Sequence, residues 1–354
     1  MKKLLNFYRN IPSIARNKLS NHPILSANQL IHLKMKSVKV LLTFCLSLAS
    51  VFSEAQIPPP PPPPPPSPAG TGPISKADSL LIAGNIKSAV AEYRNLYSRN
   101  KSNREIIYNY ACALSRSGQT DSSLRYLYKA VKIEPSFSVL TDPDLLAVRE
   151  SGGWEDFENE LISELNKKTG NSIKDIPYAK SLWKLLCLEE SIFYEVGIAV
   201  RELGPGSPVV TALRRLQSWQ NALNLAELEE LIDSKGWPKQ SQVGSLAASA
   251  AFFILQHSNA EAQEKYIGML ENACRNKEGN CQQYALMFDR MRMNQDKPQR
   301  FGTHAYLDPS KGSTNELYPL EDESKVDEWR KEIGLEPLME YLKRANIKYQ
   351  PKKQ

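Results

Sequence analysis

Three glycines, Gly84, Gly118 and Gly152, recur at intervals of 34 residues, and apolar side chains keep step with them. Tyr93, Leu127 and Leu161 share one offset, and Leu96 and Ala130 another. A fixed period of this length points away from one closed core. It calls for a short unit that covers its apolar face only by stacking on the next copy. Each glycine introduces a second helix, so the unit is a helix pair that turns at the glycine.

The pattern resembles tetratricopeptide repeats over about residues 74–168, with the first two copies carrying the likeness. Departures are visible. The small residue early in the first helix is Ala77, then Ala111, then Leu145; the closing proline is Lys101 in one copy and Pro135 in the next. The third copy, from Asp142 through Gly153 and Trp154 to Leu165, reads as a capping repeat. The resemblance implies a short groove for a peptide or protein partner, lined by Tyr108, Cys112, Ser115 and Arg116. A packing platform for the following domain is the alternative.

Upstream, Met35–Lys39 followed by the apolar run Val40–Phe52 has the charged start and short hydrophobic stretch of a secretory signal, too short to span a bilayer. Ser53-Glu54-Ala55 places small residues at the two positions a signal peptidase reads, so cleavage is expected between Ala55 and Gln56. Residues 1–34 add a second basic start that export does not need and read as a mis-assigned start, or else as a long leader. Pro58–Pro66 is an unbroken run of nine prolines, a stiff spacer of about 28 Å or a docking site for a proline-reading domain. The domains expected are therefore a signal peptide at 35–55, a proline-rich spacer at 56–73, repeats at 74–168 and a second helical domain at 172–350.

The chain's formal charge of +6 belongs to the leader. Residues 1–55 hold eight Lys/Arg against Glu54 alone, leaving 37 basic and 38 acidic residues after cleavage. Nothing in that balance suits nucleic acid, and no membrane span is expected after cleavage. The protein is read as periplasmic or secreted, in an oxidising compartment. Cys274 and Cys281 flank a six-residue turn and can clip it as a disulfide, whereas Cys112 and Cys187 sit in apolar helical patterns as buried thiols.

From about residue 172 the pattern remains helical without a repeat. Leu182, Leu186, Phe193, Val196 and Val200 form a stripe with Glu189 in its middle. Helices are expected at about 206–221, 241–258, 261–275, 281–293, 324–333 and 337–346. Asn224 with Glu227 reads as the capping box of a further helix that ends at Gly236. Residues 300–306 and 315–318 can pair as a small β-hairpin. The fold class is mainly α: a short α-solenoid of tetratricopeptide-like helix pairs plus an α-helical C-terminal domain with one hairpin.

Gly236-Trp237-Pro238, Val243-Gly244 leading to Gln256-His257, Ala285 to Asp289-Arg290, Gln299 to Thr303, and Asp327 to Arg330 with Ile333-Gly334-Leu335 occur in this order. Over about residues 180–346 they resemble an uncharacterised bacterial family, domain of unknown function 6624. The resemblance implies no activity. The sequence departs from it at His304, where the family has glutamine, and at Glu189-Glu190-Ser191, where it has an acid-glutamine-arginine cluster.

No glycine-rich phosphate loop, nucleophile-elbow serine, His-Glu-x-x-His or Cys-x-x-Cys is present. The residues left to carry chemistry are His257, Asp289 and Glu189 as catalytic candidates. Gln256, His257, Arg290, Gln299, Thr303, His304, Trp237 and Arg330 are ligand-binding candidates. His257 closes a helical face of Val243, Ala247, Ala250 and Ile254, and so is either a hydrogen-bonded core residue or a base. Asp289 and Arg290 are expected to pair with Arg330 and Glu189 respectively, as ion-pair scaffolding or as acid-base groups. The Gln299–His304 strip is either a polar ligand site or the cap of the helical domain. No cofactor is implied. A metal is expected only if His257, Asp289 and His304 converge as a three-ligand site.

Three functions follow. The first is an exported protein- or ligand-binding module with a polar pocket in its C-terminal domain. The second is an extracytoplasmic hydrolase using His257 with Asp289 or Glu189, and the third is a structural envelope protein with no site.

Overall fold

The computed structural model describes residues 75–170, 173–308 and 314–345, with 347 and 349. The signal segment, the cleavage position after Ala55 and the proline run lie outside the described residues. The fold is mainly α, with a single two-stranded antiparallel sheet among the described residues.

The 34-residue spacing appears as helix pairs. α1 (Lys76–Ile82) and α2 (Ile86–Arg99) turn at Gly84, and α3 (Arg104–Arg116) and α4 (Thr120–Ile133) turn at Gly118. Both glycines adopt positive φ, 73° and 79°, which a side chain would oppose. Ser75 and Asp78 cap α1 reciprocally, and Asn103 caps α3. Ala77, Ala89, Ala111, Leu127 and Ala130 are fully buried, so small and large residues interlock between the helices. In the third copy the first helix is reduced to two 3₁₀ turns, Phe137–Leu140 and Pro143–Leu145, and the single-turn α5 (Leu146–Arg149). Only its second helix, α6 (Trp154–Thr169), is full length.

α7 (Ile176–Leu203) completes that third copy. Trp183, fully buried, packs its ring 6.3 Å from Phe137, and the Cys187 thiol donates to the Asp142 carbonyl at 3.4 Å. One hydrophobic cluster thus runs from Ile107 of α3 to Ile333, across the boundary read between residues 168 and 172. The described residues all fall within one compact unit.

α8 (Pro208–Lys235) runs antiparallel beside α7 as one unbroken helix of 28 residues, capped by Ser207 and stopped at Gly236. This corrects the reading of Asn224 as a cap: it is buried mid-helix, and the Asn-x-x-Glu spacing is coincidental. The single helix expected at 241–258 is three short ones, α9 (Gln240–Val243), α10 (Ser245–Ala248) and α11 (Ala250–Gln256). Gly244 at φ 82° ends the first. The apolar stripe survives the break, since Val243, Ala247, Ala250 and Ile254 are all buried.

α12 (Ala260–Arg275) and α13 (Cys281–Asn294) form a hairpin whose turn is closed by a Cys274–Cys281 disulfide. A tight turn over residues 299–304 then leads into β1 (Ala305–Asp308), paired with β2 (Thr314–Leu317) in the register Ala305 to Leu317. The strand starts five residues later than expected because the backbone N–H groups of Arg300, Phe301, Thr303 and His304 donate to the Asp289 and Gln299 side chains. α14 (Val326–Glu332) and α15 (Leu338–Arg344) close the fold. No helix among the described residues is long and apolar enough to cross a membrane.

Candidate functional site

Two corners of the C-terminal half hold the polar residues singled out from the sequence. The first is built by α7, α8 and the end of α11. Glu189, 5% exposed in the apolar stripe of α7, accepts from His257 Nδ1 at 2.7 Å and from Asn224 Nδ2 at 2.7 Å. Gln220, one turn earlier on α8, donates to the Asn224 side-chain Oδ1 at 2.8 Å. A carboxylate only accepts, so Nδ1 carries a proton and, in the neutral ring, the lone pair sits on Nε2. That Nε2 is buried and has no protein partner. Phe193 stacks on the imidazole at 6.0 Å, and the His257 side chain is 23% exposed.

The second corner is the 299–304 turn on α13. Asp289, fully buried, accepts backbone N–H groups of Arg300 (2.7 Å), Phe301 (3.0 Å) and Thr303 (3.1 Å), and the Thr303 hydroxyl at 2.9 Å. Burial raises its carboxyl above the ordinary value, and these donors restrain the rise. The expected Asp289–Arg330 pair is replaced: Arg330, fully buried, donates to the carbonyls of Phe301 (2.6 Å) and Glu336 (2.7 Å) beneath the Tyr341 ring. Gln299 is also consumed by backbone. It donates to the carbonyls of His304 and Tyr318 and accepts the His304 N–H.

The Thr303 hydroxyl donates to Asp289, and so accepts from His304 Nδ1 at 2.8 Å. His304 Nε2, like that of His257, has no protein partner. Burial, assisted by the positive charge of Arg290, lowers the His304 ring to about 3, so it is neutral at ordinary pH. Arg290 itself has no ion pair among the described residues, and burial lowers its value. The expected Arg290–Glu189 pair does not form because both Glu189 oxygens are taken by His257 and Asn224.

His257, Asp289 and His304 do not form a group of potential metal-binding side chains among the described residues, although Asp289 and His304 share the Thr303 hydroxyl. The group of potential metal-binding side chains that does cluster among the described residues is Cys112, Asp142 and Asp144. Their polar atoms are engaged within the chain. Tyr108 donates to Asp142 at 2.5 Å, the Asp144 N–H to Asp142 at 2.9 Å, and Arg116 lies 3.4 Å from Asp144 and 2.8 Å from Glu195 of α7. Of the residues read as groove lining, Tyr108, Cys112 and Arg116 are therefore turned onto the third copy or α7, and Ser115 is buried.

Of the remaining candidates, Trp237 packs on Tyr266 at 6.4 Å, and Gln256 offers its carbonyl to Gln263 at 3.4 Å. Asn224 and Phe193 were missed as site residues. The available signal for Asn224 was its place on the same stripe as Leu228 and Ile232, where a polar residue needs a buried partner.

Residues 196–353 match a family of unknown function, DUF6624. His257, both residues of Asp289-Arg290, the 299–304 turn and Arg330 fall inside the DUF6624 match, whereas Glu189 precedes it. The first corner thus joins a residue of the matched segment to one outside it. No curated protein and no solved structure matches the chain.

Proposed function

We propose that the chain is an exported ligand-binding protein, with a small polar molecule held at His257 and the tetratricopeptide-like pairs serving as the platform on which α7 is fixed. The supporting observation is the Glu189–His257 pair: Nδ1 is tied to a buried carboxylate, and Nε2 is buried without a protein partner on a side chain that is 23% exposed. Such a nitrogen accepts a donor group, a hydroxyl or an amide, from a bound molecule. The internal engagement of Tyr108, Cys112 and Arg116 supports the platform role over peptide capture.

The test is a thermal-shift screen of the purified chain against amino acids, sugars and small carboxylates. A binder at a hundred times its Kd adds ~2.7 kcal/mol, a rise of a few degrees. The shift is expected in the wild type and in His304→Gln and absent in His257→Asn. A panel without shifts, or a shift that survives His257→Asn, removes the site and favours a structural envelope protein.

A second reading has its own support in the order carboxylate, imidazole, unmatched nitrogen, the arrangement of a general base with its orienter. Under that reading the chain is an extracytoplasmic hydrolase, with His257 as base and Glu189 as orienter. Turnover of a p-nitrophenyl ester, absent in both His257→Asn and Glu189→Gln, distinguishes it from binding alone.

A further inference from the structure

α8 carries apolar residues on two opposite faces. One, through Val210, Leu228 and Ile232, is buried against the chain. The other carries Trp219 and Leu223, 52% and 45% exposed, beside the exposed small residues Ala222 and Ala226. Of the nine large apolar side chains exposed among the described residues, five lie on α7 and α8, so this hairpin is where uncovered apolar surface concentrates.

Charge on the open face divides along the helix. Arg215 stands toward its N-terminal end and Glu230 toward its C-terminal end, both exposed and neither in an ion pair among the described residues. At 100° per residue, Arg215, Trp219, Ala222, Ala226 and Glu230 all fall within one arc of about 80°. The face is therefore self-complementary in one sense only. Antiparallel packing sets the basic end against the acidic end, whereas parallel packing sets like against like.

We propose that this face is a self-association surface, on which α8 of a second copy lies antiparallel across a two-fold axis passing between Ala222 and Leu223. Trp219 then meets the partner's Ala226, Leu223 lies beside the partner's Ala222, and Arg215 reaches the partner's Glu230. Large residues face small ones, which lets the helices approach closely along about 22 Å of axis. Each contact occurs twice, as an isologous interface requires.

Sedimentation equilibrium on the purified chain, with dilution, tests this. The mass of two chains is expected at high concentration, falling to one on dilution. Arg215→Glu and Glu230→Arg each weaken association roughly tenfold, since each creates two like-charge contacts. The double variant recovers it, and Trp219→Asp abolishes it. Circular-dichroism melts confirm that these exposed substitutions leave the fold intact. A chain that stays monomeric up to about 1 mM, single variants that associate like the wild type, or a double variant no better than the singles overturns the proposal; monomeric behaviour would leave the face to a different protein.

Discussion

His257 and His304 each have one ring nitrogen tied to a protein oxygen and the other without a protein partner, yet their surroundings differ in kind. His257 leans on a carboxylate that donates nothing back, has Phe193 across its face and is open on one side. His304 is 6% exposed, neutralised by burial and by Arg290, and held by a threonine whose hydroxyl answers to Asp289. The first arrangement leaves a partly exposed side chain with one unmatched ring nitrogen. The second locks a turn. Polar residues drawn from one short sequence strip can serve architecture, and the two rings are told apart by side-chain exposure, since Nε2 is buried and unmatched in both.

The sharpest way to break this contrast is Asp289→Ala. It leaves three amide N–H groups and one hydroxyl without an acceptor in a buried turn, and should destabilise the fold by about 4 kcal/mol or more, read from urea midpoints. Were Asp289 instead an acid-base group in a tolerant pocket, the midpoint would barely move.

Acid titration comes next. The folded value of His304, about 3, lies below the usual 6.5, so the unfolded chain takes up the proton first as pH falls. The associated stability is complete above about pH 6.5 and disappears as pH drops through about 3, by at most ~5 kcal/mol. His304→Gln should flatten that acid limb, measured as unfolding free energy between pH 7 and pH 4. An unchanged slope would mean that the ring protonates freely.

Smallest is the effect of His257→Asn. The amide can still donate to Glu189, so stability should fall by only ~1 kcal/mol or less. A loss as large as that of Asp289→Ala would make the two corners alike and return His257 to the core.

Much of the architecture was readable because it is written in side chains. The 34-residue spacing located the glycine turns, and Glu189 stood out as a charge on an apolar stripe. Cys274 and Cys281 were separated by just enough chain for a hairpin clip, and that bond is present. Three features were misread for physical reasons. Asn224-x-x-Glu227 has the letters of a capping box, but the apolar spacing through Leu213, Leu216 and Leu225 continues the helix straight past it. Gly244 breaks a helix whose buried stripe runs on as though unbroken, so periodicity did not register the break. The partners of Asp289 and Arg330 are mainly backbone amides and carbonyls, which carry no identity in a sequence. Seeking a charged partner for each charge therefore gave the wrong pairs.

Gly302, at φ 69°, lies directly under α15: a Cβ there would come within 2.5 Å of Leu338 and 3.3 Å of Leu320. Tyr341 of the same helix donates to the Thr303 carbonyl at 3.2 Å. During synthesis, which delivers the chain N-terminus first, the His257 corner has all its parts before residue 258 has followed, but the turn around Asp289 waits for residues 338–341. The locked corner is thus assembled last. A nascent chain can carry an ordered Glu189–His257 pair while its final helices are still to come.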